Sequence, residues 1–365
     1  MLPQVCEKKR PLVACLHPYL EGRREEIERG LYPSQHLWGL AGIEQAEHWR
    51  TETISTAETR LPSLLEKLLD RSLFRGSPGA KVELAVLRAA RRADLVYSVC
   101  GPLVLVRRFR RAGLVSWVFR EPPIHGTGPR LAHAAYRPGN LGAHTGFLAL
   151  TPTAEKAFAE HAPSRFLPWC VDLALFDGKP AAKPFERPFF LATGKTERDY
   201  ATLAQAACKV DADVRVIGPA SVRPNDLPHN LFWTDTSADK PDQAIDYPTL
   251  RNWYAQATAV CIPLTGDADD TCGYTNLLEA MAMAKPALMT RSGCLHLDPE
   301  TQGFGYLVSP SSPKDWIVKM NELILNPERA FSLGAAGRAL AERDFYPQRF
   351  DRDVVAFLRE RLIEK

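Results

Sequence analysis

The sequence has no apolar run long enough to span a membrane or to direct secretion. The apolar run nearest the N-terminus, Leu12 to Leu16, has five residues. A membrane-spanning helix needs about 20 apolar residues, and the apolar segment of a signal sequence has about 7–15. The eight cysteines are scattered and include no Cys-x-x-Cys pair, which fits neither a disulfide framework nor a zinc site. We therefore predict a reducing, cytoplasmic location, and peripheral contact with a membrane stays open.

The chain also has little net charge, but that charge is uneven. Residues 1–180 carry 25 Lys and Arg against 18 Asp and Glu, and the remainder carries 21 against 25, within a total of +3. Arginines supply much of the excess: Arg88, Arg91, Arg92, Arg107, Arg108, Arg110 and Arg111. Two interpretations are open, a solvated basic face or a surface that meets an anionic acceptor or membrane.

A length of 365 residues suits two domains of ordinary size. Short apolar runs alternate with amphipathic ones, as in "PLVACL" (11–16), "ADLVYSVC" (93–100), the predicted helix "PLVLVRRFRRAG" (102–113) and "LVSWVFRE" (114–121). A Pro- and Lys-rich stretch at 177–188 resembles a linker, and the alternation restarts at "FFLATG" (189–194). This order predicts two doubly wound parallel sheets, with ligands at the carboxyl ends of the strands and a cleft between facing domains.

Several stretches resemble glycosyltransferases of the GT-B fold, in particular the retaining family-4-like group. They include "FLALTPTAEKAFAEHAPSRFLPWCVDLALF", "LRNWYAQATAVCIPL", "GYTNLLEAMAMAKPALMT" and "FYPQRFDRDVVAFLRERL". The first 90 residues carry the resemblance weakly, because the family's Gly-Gly loop is replaced by "HPYLEGRREE". The resemblance implies an N-terminal acceptor domain over 1–178, a nucleotide-sugar domain over 179–344, and a terminal helix over 345–365 that packs back on the first domain.

The family signature has two acidic residues with seven between them. Glu279 matches the second, for which the resemblance implies hydrogen bonds to the ribose hydroxyls, and Thr271, preceded by Asp270, stands at the first. A helix that starts near 274 would direct unpaired N–H groups at a phosphate, and a glycine before it would let the backbone approach closely. The predicted donor-binding set is Gly194, Thr271, Asp270, Gly273, Tyr274, Thr275, Asn276 and Glu279. The alternative for Glu279 is a buried structural pair with an Arg or Lys.

Two cations follow the strand at 189–194. Lys195 comes directly after Gly194, and Arg198 lies one helical turn further on. The family has a basic pair here, in the opposite order and with a longer spacing. Fixed cations stabilise the charge that develops on a diphosphate leaving group, so we predict a phosphate clamp and keep ordinary surface charge as the alternative.

The loop "GDADD" (266–270) contains Asp267-x-Asp269. Such a pair after a strand is able to hold Mg²⁺ or Mn²⁺, but the surrounding elements fit a metal-independent site. We therefore predict no metal and no separate cofactor, and expect Asp269, Asp270 or Thr271 to face the hydroxyls of the donor sugar.

Three residues are candidates on the acceptor side. His125 and Glu121 follow the predicted strand at 114–121, and His17 ends the first strand. His125 occupies the neighbourhood in which related enzymes place a histidine, and Glu121 could act on the acceptor hydroxyl. A solvated or capping role is the alternative for each.

The sequence as a whole predicts a glycosyltransferase that moves a sugar from a nucleotide diphosphate sugar to a glycan, lipid-linked or small-molecule acceptor. The resemblance implies retention of configuration, with the donor phosphate taking the acceptor proton. No nucleic-acid partner is expected. The alternatives are a nucleotide-sugar epimerase on the same scaffold and a degenerate, non-catalytic binding protein.

Overall fold

The computed structural model describes residues 10–18, 20, 22–122, 134–179, 185–236, 245–294 and 296–363. The chain divides into two compact units. The first comprises residues 1–22, 36–168 and 350–365, and the second comprises residues 23–35 and 169–349.

The first unit is built on a parallel six-stranded sheet with the strand order β2-β1-β3-β4-β5-β6. Its strands are β1 (Leu12–Leu16), β2 (Arg50–Thr53), β3 (Leu95–Ser98), β4 (Gly113–Val118), β5 (Gly146–Ala149) and β6 (Ser164–Phe166). Its helices are α2 (Leu40–Gln45), α3 (Ser63–Arg71), α4 (Ala80–Ala89), α5 (Pro138–Leu141) and α6 (Pro152–Ala159), together with most of α12 (Pro347–Ile363). Short 3₁₀ turns occur at Leu105–Arg108 and Ala134–Tyr136. Every residue of β3, β4 and β5 is buried, as expected for parallel strands covered on both faces.

The second unit repeats the plan with the strand order β12-β11-β10-β7-β8-β9, again wholly parallel. Its strands are β7 (Phe189–Thr193), β8 (Asp213–Gly218), β9 (Leu231–Asp235), β10 (Ala259–Ile262), β11 (Ala287–Thr290) and β12 (Gly305–Val308). Its helices are α1 (Arg24–Glu28), α7 (Tyr200–Ala207), α8 (Tyr247–Gln256), α9 (Tyr274–Ala282), α10 (Pro313–Leu325) and α11 (Pro327–Asp344). Further 3₁₀ turns lie at Ser34–Leu37, which reaches the division between the units, and at Ala220–Val222.

The predicted alternation of strands and helices and the parallel sheets are confirmed, but the helix predicted over 102–113 is wrong. Only a 3₁₀ turn forms there, at Leu105–Arg108. The buried carboxylate of Glu83 accepts hydrogen bonds from the N–H groups of Val104 (2.6 Å) and Leu105 (3.0 Å), which fixes the start of the turn, and Gly113 already begins β4. Strands β2, β6 and β12 were not predicted from the sequence.

The described ends of the predicted linker are attached to α8. Asp177 forms an ion pair with Arg251, which lowers the pKa of its carboxyl group to about 2 against the raising effect of desolvation. The backbone N–H of Phe185 donates to Oε1 of Gln256 (2.6 Å). Within the described ranges, no helix combines the length and apolar character that crossing a bilayer requires.

Candidate functional site

The second sheet reverses its direction of growth between β7 and β10. Strands β8 and β9 are added on one side of β7, and β10, β11 and β12 on the other. In open parallel sheets, ligands bind at such a switch point, beyond the carboxyl ends of the strands. The loop after β7 carries the two predicted clamp residues, and the loop after β10 leads into α9, which carries Glu279.

The guanidinium of Arg198 is held by three hydrogen bonds. Nε donates to the carbonyl of Thr193 (3.1 Å), Nη1 to that of Thr196 (3.0 Å), and Nη2 to Oδ1 of Asn276 (2.7 Å). Gly194, with a φ of +117°, makes room for it, since a Cβ there would lie 2.5 Å from Nη2. The fold therefore fixes one cation beside the first turn of α9.

The side chain of Lys195, unlike that of Arg198, is not held by hydrogen bonds within the described part of the chain. Its side chain is exposed, and within the described part of the chain it makes no hydrogen bond or ion pair. The loop thus presents one fixed and one free cation at the end of β7, an arrangement that suits a bound phosphate.

Helix α9 begins without a side-chain cap. Gly273 stands at its N-cap position, whereas Asp199 and Asp246 cap α7 and α8 by accepting hydrogen bonds from Thr202 N and Thr249 N. The absence of a cap leaves N–H donors and the positive end of the helix dipole for a ligand.

The glycine itself is required for packing. Gly273 adopts a φ of +84°, and a Cβ there would lie 2.8 Å from Cγ2 of Ile262, so its bare side faces the sheet. The sequence analysis interpreted this glycine as room for a ligand to approach; its contacts are with the interior.

Glu279 lies within α9 and is 3% exposed. The hydroxyl of Tyr254 donates to its Oε2 at 2.7 Å, and within the described residues it has no ion pair with a Lys or Arg. Desolvation raises the pKa of Glu279 to about 7, against the lowering effect of the Tyr254 hydrogen bond. The carboxyl group therefore changes its charge near neutral pH.

Asn276 joins the two halves of the site. Its Oδ1 accepts from Arg198 (2.7 Å), and its Nδ2 donates to Thr193 Oγ1 (2.5 Å) and to the Tyr254 hydroxyl (3.3 Å). Because the same hydroxyl contacts Glu279, hydrogen bonds run without interruption from Arg198 through Asn276 and Tyr254 to Glu279. The clamp candidate and the ribose candidate are thus parts of one network.

The acidic loop before α9 is ordered by its own side chains. Oδ1 of Asp269 accepts from the N–H (2.9 Å) and the hydroxyl (2.7 Å) of Thr271. Glu197, with a φ of +52°, accepts from Asp269 N (2.6 Å) and Cys272 Sγ (2.9 Å). Among the described residues, no group of three or more His, Cys, Asp or Glu side chains is arranged to hold a metal ion.

The other predicted donor-binding residues differ in how far they are buried. Tyr274 is buried, and its hydroxyl accepts a hydrogen bond from the backbone N–H of Trp169 at 3.0 Å. Its ring also contacts His296 edge-on at 4.8 Å, so this side chain belongs to the core. Thr275 and Asp270 are half-buried.

The acceptor-side candidates belong to the first unit. Glu121 is exposed after β4, and His125 lies outside the described residues. His17 is buried, and its Nε2 donates to the carbonyl of His36 at 2.6 Å. The acceptor-side roles of these three residues stay predictions.

Sequence reasoning missed three residues of this network: Tyr254, Thr193 and Glu197. Tyr254 lies within the stretch "LRNWYAQATAVCIPL" that carried the family resemblance. A tyrosine on the buried side of α8, one helix before Glu279, is the only signal that pointed to it. Thr193 and Glu197 flank the clamp loop. Their hydrogen bonds, to Asn276 and to the acidic loop, form only when the loops after β7 and β10 come together in the fold.

A family model matches part of the second unit. Residues 198–326, which include Arg198, Asn276 and Glu279, match the family model described as "Glycosyl transferases group 1". No curated protein sequence matches the chain.

Solved structures resemble the chain over almost its whole length. Sucrose-phosphate synthase from Thermosynechococcus elongatus superposes with a TM-score of 0.66 at 15% identity, over 98% of this chain and 100% of the synthase. A glycosyltransferase from Rickettsia africae gives 0.64 at 12%, over 97% and 99%. Anabaena Alr3699/HepE, solved with UDP-glucose, gives 0.61 at 13%, over 96% and 100%.

The structural likeness confirms the predicted GT-B fold. The family match is confined to residues 198–326, within the second unit, and it points to the same family that the sequence resembles.

Proposed function

We propose that this enzyme transfers a sugar from a nucleotide diphosphate sugar bound at the switch point of the second sheet. The hydrogen-bonded network from Arg198 to Glu279 carries the proposal, since it sets a fixed cation and a buried carboxylate at the two ends of one site. The solved relative Alr3699/HepE binds UDP-glucose, and a uridine diphosphate sugar is the first donor to test here. A cytoplasmic site of action is part of the proposal.

The proposed donor pose follows from the charges. Arg198 and Lys195 contact the diphosphate, the uncapped first turn of α9 donates N–H groups to it, and the Glu279 carboxylate accepts from the ribose hydroxyls. During transfer, the bond between the anomeric carbon and the phosphate oxygen breaks, and the acceptor oxygen bonds to that carbon on the same face. The acceptor proton moves to the leaving phosphate oxygen. The growing charge on that oxygen is stabilised by the two cations, so we propose a retaining reaction that needs no metal.

The proposed acceptor is anionic or lies at an anionic surface. Exposed arginines of the first unit support this, namely Arg88, Arg91, Arg92, Arg107, Arg108, Arg110 and Arg111. Three of them already have partners: Arg92 pairs with Glu52, Arg111 pairs with Asp94, and Arg88 donates to the Thr59 hydroxyl. Replacing Arg107, Arg108 and Arg110 with Gln should weaken acceptor use and leave donor affinity unchanged. Equal acceptor kinetics in this variant and the wild type would remove the arginines from the proposal.

The direct test is incubation with UDP-, GDP-, ADP- and TDP-sugars, with a thermal-shift panel of the same compounds. A ligand that binds the folded state raises apparent stability by mass action. Slow release of nucleotide, accompanied by free or transferred sugar, supports the proposed transferase. An isomerised sugar would show an epimerase, and binding without turnover would show a degenerate site.

A further inference from the structure

Helix α3 (Ser63–Arg71) carries three of its four leucines on the outside. None of its nine residues is buried, and Leu64 and Leu68 are 82% and 64% exposed. Leu65 and Leu73 are also exposed. Residues four apart in a helix lie on one face, so Leu64 and Leu68 form an apolar ridge that the described chain leaves uncovered.

The orientation of α3 is fixed by its two carboxylates, which face α4. Asp70 Oδ1 accepts from the backbone N–H of Ala80 (2.7 Å), the first residue of α4. Glu66 pairs with Lys81 at 2.8 Å. A carboxylate at a helix N-terminus is stabilised by the unpaired N–H groups and the helix dipole. Rotating the leucines inward would break both contacts, so the exposed ridge is a built feature of this fold.

The charges around the ridge are of one sign. Lys67 and Arg71 flank it on the helix, and Arg60 and Arg75 lie before and after the helix; all four are exposed. Within the described chain, none of the four forms an ion pair. Since both acidic residues of α3 are engaged with α4, the outer face of the helix combines leucines with uncompensated positive charge.

We propose that α3 is a docking element for an anionic lipid surface, in which Leu64 and Leu68 enter the headgroup region while Lys67 and Arg71 contact lipid phosphates. Leucines on one face beside lysine and arginine are the composition of helices that lie in a membrane interface. Anionic headgroups attract such cations, and the attraction falls off within a Debye length. The cations favour a negatively charged binding partner. A single exposed helix has no groove into which a protein segment could bind, so a lipid surface fits it better.

The α3 surface uses none of the arginines at 88–92 and 107–111, and it does not depend on the proposed donor chemistry. It would place the enzyme at a membrane even if its acceptor were water-soluble. A second copy of this chain, or another protein, is the competing occupant, and the measurements below separate them.

The test is co-sedimentation of the full chain with sucrose-loaded vesicles. One set is neutral phosphatidylcholine, and the other contains roughly a third phosphatidylserine. We expect binding to the anionic set only. Leu64→Gln with Leu68→Gln should lower vesicle affinity at least tenfold at every salt concentration. Lys67→Gln with Arg71→Gln should lower it several-fold at low salt, with a smaller effect at high salt because screening already weakens the charges.

The matched control is Leu325→Gln, which replaces a leucine 77% exposed at the end of α10 in the other unit. Substitutions at exposed sites leave folding nearly unchanged, and circular dichroism with nucleotide binding checks this for every variant. Vesicle binding that is equal in the Leu64/Leu68 variant and the wild type would overturn the proposal, as would no anionic-vesicle binding by the wild type at low salt. Light scattering then measures the oligomeric state. If the wild type is a dimer and the Leu64/Leu68 variant is a monomer, the ridge binds a second copy of the chain and the lipid proposal is refuted.

Discussion

Replacing Glu279 with Gln should stabilise the protein above neutral pH while weakening nucleotide binding. Glu279 is 3% exposed, and among the described side chains its carboxyl group is hydrogen-bonded only to the Tyr254 hydroxyl. Burial raises its pKa from 4.5 to about 7. Each pH unit between those values corresponds to about 1.4 kcal/mol, so the folded protein loses roughly 3 kcal/mol by ionising this group.

The sign of the pH dependence follows from the direction of the shift. Between pH 4.5 and 7 the unfolded chain has released this proton and the folded chain still holds it. Glu279 therefore makes the free energy of unfolding fall as pH rises through this window, and the loss is complete above about 7. The amide of the Glu279→Gln variant cannot ionise, and its oxygen is still able to accept from Tyr254. The variant and the wild type should then be similar in stability near pH 5, and the variant should be more stable by up to about 3 kcal/mol at pH 8.

Nucleotide binding should change in the opposite direction. A carboxylate accepts hydrogen bonds from a ribose more strongly than an amide does, so the wild type should bind UDP more tightly as pH rises through 7. Glu279→Gln should bind about tenfold more weakly at pH 8 and show little of this pH dependence. Glu279→Ala loses both acceptors and should lose about 2–4 kcal/mol of binding free energy.

The measurements are thermal unfolding without ligand and calorimetric titration with UDP, each at pH 5, 6, 7 and 8. A gain of 1 kcal/mol shifts the melting temperature of a domain of this size by roughly 2–4 °C. Glu328→Gln, at an exposed glutamate of α11, is the matched control and should show neither effect. A stability difference between Glu279→Gln and the wild type that stays constant from pH 5 to 8 would refute the buried-carboxyl argument. Unchanged UDP affinity in Glu279→Ala would refute the ribose assignment.

Three further predictions concern the same network. Tyr254→Phe removes a hydrogen bond that lowers the pKa of Glu279, so the pH midpoint of UDP binding should move upward; an unmoved midpoint in calorimetry would contradict this. Lys195→Ala and Arg198→Ala should each reduce turnover by roughly 10²-fold and reduce binding of the free nucleoside far less, as nucleotide-release kinetics would show, and equal losses in both would argue against a phosphate clamp. EDTA should leave turnover unchanged, whereas loss of activity that Mn²⁺ restores would make the "GDADD" loop a metal site.

Five of the six strands of the second unit are predictable from the sequence, because their apolar runs are short, continuous and bounded by turn residues; β12 is not. The apolar runs "FFLATG" and "AVCIPL", each expected to be a strand, correspond to β7 and β10 within two residues. Glu279 could be singled out because a carboxylate inside an apolar helix conflicts with its surroundings. Its partner Tyr254 could not, since a tyrosine in a helix is ordinary until the packing of α8 against α9 brings its hydroxyl to the carboxylate.

The first unit was harder to predict for a physical reason. The run at 102–113 has apolar residues at helical spacing, and Leu103 and Val106 are indeed buried with Phe109 packed against them. The same burial is achieved by a 3₁₀ turn, because Glu83 binds the N–H groups at its start. Such a contact joins residues 21 and 22 apart in the chain, and helical periodicity carries no information about it.

Helix α3 shows the same limit more sharply. An amphipathic pattern identifies two faces, but it does not say which of them meets the core. The usual assumption places leucine inside, but the inner face of α3 carries Asp70 and Glu66, which contact Ala80 and Lys81 of α4. Both unusual features of this chain thus have one origin, a carboxylate on the inner face of a helix. At Glu279 the carboxylate is buried with a single hydroxyl partner, leaving it accepting capacity for a ligand. At Asp70 it accepts a hydrogen bond from the first residue of α4, and Leu64 and Leu68 on the outer face of α3 are exposed.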